Sequence, residues 1–143
     1  VKAVVVVFAV IFGIGILVRL TSQELASARG DGVPSSEQKA VDEAKWQTAF
    51  GGAVTLRKRM RNPDSFKTSL VLEMPDGAVC YVYRAQNGFG GMDVGRAVVV
   101  DDRIYDENAL MFRQTYKREC VDKTGVDKSP DINEGLKMVA ASE

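Results

Sequence analysis

The 143-residue chain contains no histidine. That absence removes Ser-His-Asp and Cys-His nucleophilic systems and every metal site built on imidazole. Cysteine is nearly absent too, and two thiols cannot form a four-thiolate zinc site. Metal catalysis would fall to carboxylates alone, and no calcium-loop spacing is present. Neither charge is in excess: Lys+Arg and Asp+Glu are both 19, so the whole chain exerts no pull on nucleic acid. Hydrophobic residues make up 45% and charged residues 27%, which fits one small globular domain with an added apolar segment. The first residue is Val, which fits either an alternative start codon or a chain that continues upstream.

The one long hydrophobic run covers residues 3–18, AVVVVFAVIFGIGILV, bracketed by Lys2 and Arg19. As a helix it would reach about 24 Å, a little short of a ~30 Å hydrocarbon core. Snorkelling by Lys2 and Arg19 closes the gap. Two readings compete: a single-pass anchor, and a signal peptide cleaved near Ala26-Ser27-Ala28. Arg19 and Glu24 in the spacer are unusual for a cleavage region and favour the anchor. No cysteine follows the run, so it is not a lipoprotein signal. Flanking cations are almost balanced, so they leave the orientation to the cysteines.

Residues 21–35 are polar, carry Gly30, Gly32 and Pro34, and read as a linker. Ser35, with Gln38 three residues on, reads as a helix start. Trp46, Ala49, Phe50, Ala53, Leu56 and Met60 then recur at spacings of three and four, one face of an amphipathic helix. Gly51-Gly52 predicts a kink, a split or a close backbone approach in its middle. Asn62-Pro63 ends it. The basic run 57–61 has no interleaved aromatic and reads as a solvated helix end; lipid or nucleic-acid binding is the weaker alternative.

Residues 66–74 alternate, which places Phe66, Thr68, Leu70, Leu72 and Met74 on one face of a strand. Pro75-Asp76-Gly77 makes a tight turn. The second strand, 78–86, sets Val79, Tyr81 and Tyr83 against Cys80, Val82 and Arg84. A loop at Asn87-Gly88-Phe89-Gly90-Gly91 leads to a third strand over 94–100, with a short fourth piece at Ile104-Tyr105. Asp106 is placed to cap a closing helix whose face is Ala109, Phe112, Tyr116 and Cys120. Residues 122–143 read as a mobile tail, with a short helix over 132–141 as the alternative.

Cys80 sits mid-strand and Cys120 on the apolar face of the closing helix. That helix should pack on the sheet and bring them together. A bond between them would close a loop of about 40 residues, worth roughly 4 kcal/mol in the chain-entropy account, and would require an oxidising compartment. Two free thiols in a cytosolic domain are the alternative. The glycine-rich loop is followed by a strand rather than a helix, and no Lys-Ser/Thr pair accompanies it, which argues against phosphate binding. It reads as a wide strand connection whose Phe89 and Met92 are suited to entering a partner's pocket.

The stretch Arg61-Asn62-Pro63-Asp64-Ser65-Phe66-Lys67, followed by Val79-Cys80-Tyr81-Val82-Tyr83-Arg84-Ala85-Gln86-Asn87-Gly88-Phe89-Gly90-Gly91-Met92, resembles a group of small, uncharacterised bacterial and phage-associated envelope proteins. The resemblance covers roughly residues 54–120. It implies a bacterial origin and a compact α+β domain, and it supplies no reaction or catalytic residue.

These readings together predict an α+β protein: an N-terminal transmembrane helix over 1–20, a linker over 21–35, a domain over 36–121 and a tail over 122–143. The domain is expected as helix, three- to four-stranded antiparallel sheet and helix, with the helices covering one face. The expected function is a non-enzymatic interaction domain on the outer side of the bacterial inner membrane, with no cofactor or metal. Its expected partner is another envelope protein, met by Tyr81, Tyr83, Arg84, Asn87, Phe89 and Met92. The alternative is a cell-wall-acting enzyme or inhibitor with a carboxylate pair drawn from Asp64, Glu73, Asp93, Asp101 and Asp102.

Overall fold

The computed structural model describes residues 35–142. The expected membrane helix and most of the linker lie outside that range. Among the described residues no helix is long and apolar enough to cross a membrane.

Helix α1, Ser36–Arg59, starts one residue after Ser35. Its first turns are wholly exposed and rely on local pairs: Gln38 donates to Asp42 at 2.9 Å and Gln47 to Glu43 at 2.7 Å. From Trp46 onward the three-four spacing takes over, and Ala49, Ala53 and Leu56 are completely buried. The glycine pair does not split the helix, which is unbroken from Ser36 to Arg59. Gly52 is where the sheet comes closest: a Cβ there would collide with the Tyr81 phenol. Close approach was one of the outcomes that Gly51-Gly52 predicted, and it occurs.

After α1, a short 3-10 turn at Pro63–Ser65 leads into the sheet. The strands are β1 Lys67–Glu73, β2 Val79–Gln86, β3 Met92–Val100, β4 Arg103–Asp106 and β5 Val126–Asp127. All pairings are antiparallel, in the order β4-β3-β2-β1-β5. Helix α2, Phe112–Cys120, and helix α3, Ser129–Ser142, complete the domain.

The sheet is covered on both faces, not on one. Helices α1 and α3 pack with Val71, Val79, Tyr81, Tyr83, Ala97 and Val99. On the opposite face Tyr116 and Cys120 of α2 join Met74, Ala78, Cys80 and Val98. The alternation of β2 made this arrangement necessary, because both of its faces carry apolar side chains. In β1 the expected single face is broken. The pairing passes from Thr68–Tyr83 to Leu70–Val82, so Ser69 is an extra residue in the ladder. Phe66, Thr68 and Val71 therefore face α1 and α3, whereas Leu72 and Met74 face α2.

Residues 122–143 were expected as a mobile tail, and this is corrected: they carry β5 and α3. Ile132 is fully buried and Leu136 nearly so. Asn133 accepts from the Thr68 amide at 3.1 Å and donates to its carbonyl at 2.9 Å, and Ser129 accepts from the Val71 amide at 2.8 Å. These polar side chains close the outer edge of β1. Ile132, Gly135 and Leu136 recur at three and four, a helical period sparse enough to read as polar tail. Asp106 does not cap α2. Its carboxylate accepts from the Asn108 amide at 3.0 Å and so shapes the turn before the helix.

Candidate docking surface

The β2–β3 connection is held by one side chain. The Asn87 amide oxygen accepts from the Phe89 N–H at 3.0 Å and the Gly91 N–H at 2.9 Å. Its nitrogen donates to Asp93 at 3.1 Å. The Asn87 backbone N–H donates to the Gly91 carbonyl at 2.8 Å. Gly90 adopts φ 87°, a left-handed conformation that favours glycine. Gln86 ties the loop to the 3-10 turn: its amide N–H donates to Ser65 at 2.8 Å, and its side chain accepts from Asn62 at 2.7 Å. The Arg61 guanidinium lies against Gly88. A braced tip results, and it carries Phe89 at 100% exposure. A braced aromatic ring that shares its hairpin with exposed Met92 and Val94 marks a contact candidate.

Behind the tip, the face that α2 covers at the far end of the sheet lies open. Met92 is 52% and Val94 53% exposed there. Val94 stands opposite Arg84, and Arg96 opposite Val82, which in turn pairs with Leu70. Arg96 forms an exposed ion pair with Glu107 at 3.4 Å. Arg84 directly opposes Lys67 in the ladder, and among the described residues neither cation joins an ion pair. Like charges across a ladder are mildly destabilising, so this row is favourable only with an anion nearby.

Of the expected contact residues, Arg84, Phe89 and Met92 are exposed and Asn87 is half-buried, on one hairpin. Tyr81 and Tyr83 are corrected: they are core. Tyr81 is fully buried and its hydroxyl donates to the Ala49 carbonyl at 2.8 Å. Burial raises its pKa well above the ordinary 10.0, and burial with Asp106 and Glu107 nearby raises that of Tyr83. Their alternation with Cys80, Val82 and Arg84 was read correctly, but the inner face was taken for an outer one. Val94 and Arg96 were missed. The signal was their parity with Met92 along β3, on the side away from Ala97 and Val99.

Cys80 and Cys120 are bonded, with Cα atoms 5.9 Å apart, as the sequence led us to expect. The basic run at 57–61 does not form one patch. Arg57 is buried and bonded to Asp64 at 2.9 Å, Arg59 pairs with Asp106 at 3.0 Å, and Arg61 lies over the tip. Of the five candidate catalytic carboxylates, Asp64, Glu73 and Asp93 lie apart and are each held by a neighbour, whereas Asp101 and Asp102 share one groove. Asp64 is bound to Arg57, Glu73 lies 3.5 Å from Lys45, and Asp93 is held by Asn87. Asp101 and Asp102 form the left-handed β3–β4 turn beside Asp76 and Glu119, in a shallow groove. Lys123 bridges Asp76 and Glu119; its hydrogen bond lowers the Asp76 pKa, and Arg118, with Lys123 after it, lowers that of Glu119, the direction opposite to a general acid. Among the described residues no group of His, Cys, Asp or Glu could hold a metal ion.

No family model matches the chain, and no curated protein or solved structure matches it either.

Proposed function

We propose that this domain is a non-enzymatic protein-docking module of the bacterial cell envelope. In this reading its apolar N-terminal run holds it at the inner membrane, the domain lies on the extracytoplasmic side, a position the disulfide supports, and the β2–β3 hairpin engages another envelope protein. The observation that carries this reading is Phe89, fully exposed on a loop braced by Asn87. A pre-ordered tip loses little conformational freedom on binding, which is how a small surface achieves useful affinity. The compartment rests on the cysteine pair, since an intramolecular disulfide persists only where thiols are oxidised. The resemblance to small bacterial envelope proteins supports the same setting.

The test is photo-crosslinking in intact cells, with a benzophenone amino acid in place of Phe89 and, as control, in place of exposed Lys137 on α3. The expected result is one discrete adduct from position 89 that is absent from position 137 and is weakened by Met92→Ala. The same adduct pattern from both positions, or none from position 89, refutes docking through this tip.

A further inference from the structure

We infer that the outer edge of β3, residues 92–96, is a strand-addition site that receives an extended segment of the docking partner, with a carboxylate answering Arg96 and Arg84 and apolar side chains against Met92 and Val94. This rests on the reading of the hairpin as the docking end.

β4 pairs with β3 only from Ala97 to Val100, so the sheet ends on β3 below that point. Parity fixes which groups are left over. Asn87 and Gly91 bond to each other across the hairpin, so Asp93 and Gly95 turn their N–H and C=O groups toward β2. Met92, Val94 and Arg96 then turn theirs outward. From the other end, the two-residue β3–β4 turn makes Val100 bond to β4, which gives the same parity. Among the described residues no protein group bonds to the outward groups of Met92 and Val94 or to the Arg96 N–H, whereas the Arg96 carbonyl flanks the Ala97–Asp106 pair on the β4 side.

The rest of the sheet does not leave its edge so. β1 is closed by Lys128, Ser129 and Asn133, and β4 is only four residues long. The open part of β3 has no proline and no lysine, and Asp93 and Arg96 are its only charges. It spans about 17 Å, enough for a five-residue strand. An extended segment laid there sets alternate side chains on the open face, beside Met92, Val94 and Arg96. That face holds the unpaired Arg84 against Lys67 and a weakly paired Arg96, so it suits a carboxylate.

A second copy of this chain fits the edge poorly. Antiparallel pairing of Met92 with Arg96 of the copy brings the copy's Gly91 level with Ala97, where Asp106 already lies. Sliding two residues to relieve this sets Asp93 against Asp93 of the copy.

The test uses the full chain in detergent and amide hydrogen exchange resolved by residue. The probe is the capped peptide Thr-Glu-Thr-Val-Thr-Val in excess, whose glutamate and two valines share one face, with Thr-Lys-Thr-Val-Thr-Val as its charge-reversed control. The expected result is at least tenfold slower exchange at Met92, Val94 and Arg96 with the glutamate peptide, and a smaller effect with the lysine one. Val94→Pro removes only an outward N–H. It is expected to abolish the slowing at Met92 and Arg96 while the β2 amides stay protected. No slowing with the glutamate peptide overturns strand addition, and equal slowing by both peptides overturns the carboxylate. Slowing that needs no peptide and grows with protein concentration assigns the edge to a second copy and also overturns it. If the crosslink at position 89 forms while the peptide gives no protection, strand addition alone is lost and the docking tip stands.

Discussion

Replacing Asn87 by Ala removes three hydrogen bonds from the tip: two accepted from the Phe89 and Gly91 amides and one donated to Asp93. Each bond is worth about 1 kcal/mol net when well shielded, and less here because water reaches the loop. A local loss of about 1.5 kcal/mol is a fair expectation, close to tenfold in the opening equilibrium of the tip. The Phe89 and Gly91 amides should then exchange about tenfold faster, while the core amides of Tyr81 and Val98 do not change, because a loop opens without the domain. The contact made by Phe89 should weaken by a similar factor, since binding must now order the tip. Asn87→Asp separates bracing from polarity. It keeps the oxygen that accepts both amides, loses the donor, and sets a second carboxylate beside Asp93, so amide protection should largely survive. Residue-resolved hydrogen exchange on the three proteins decides it. Unchanged exchange at Phe89 and Gly91 in the alanine variant would refute the idea that this side chain orders the tip.

Replacing Cys80 and Cys120 together by Ala releases a loop of 40 residues. It should lower stability by about 4 kcal/mol and melting by roughly 15–30 °C for a domain of this size; a shift of only a few degrees contradicts the staple. The two adjacent helix glycines should respond in opposite senses in chemical denaturation. Gly52→Ala meets the Tyr81 hydroxyl and Val99 and should cost about 1–3 kcal/mol, whereas Gly51→Ala meets nothing within 4 Å and should stabilise by about 0.5–1 kcal/mol. At the junction of β5 and α3, hydrogen bonds from the Ser129 hydroxyl and amide hold the Asp127 pKa below 3.8. A depressed carboxylate gives stability that is full above its unfolded value and is lost as pH falls through the folded one. The urea midpoint should therefore drop as acid passes below 3.8, and Asp127→Asn should reduce that drop.

Much of the domain was legible because its elements obey simple periods. The α1 face from Trp46 to Met60, the turn at Asp76-Gly77, the parity of β2 and the meeting of the two cysteines all follow from spacing alone. Three features resisted. The bulge at Ser69 changes which side chains share a face, and no local residue type announces it. Helix α3 buries only a narrow stripe around Ile132, so its composition resembles a tail, and its role in closing β1 depends on Asn133 and Ser129 lying where the fold brings them. For the docking surface, alternation told which residues share a face but not which face is covered. Tyr81 was misassigned for that reason, and Val94 and Arg96 became visible only once α2 was seen to stop short of them.

Whether Cys80 and Cys120 are joined in the living cell tests most directly that this is an extracytoplasmic docking domain. Intact cells are quenched in acid and alkylated with a mass-shifting maleimide, with and without prior reduction. The expected result is no shift without reductant and a two-thiol shift after it. Two thiols labelled before reduction would place the domain among reduced proteins and contradict the compartment, the orientation and the partner class together.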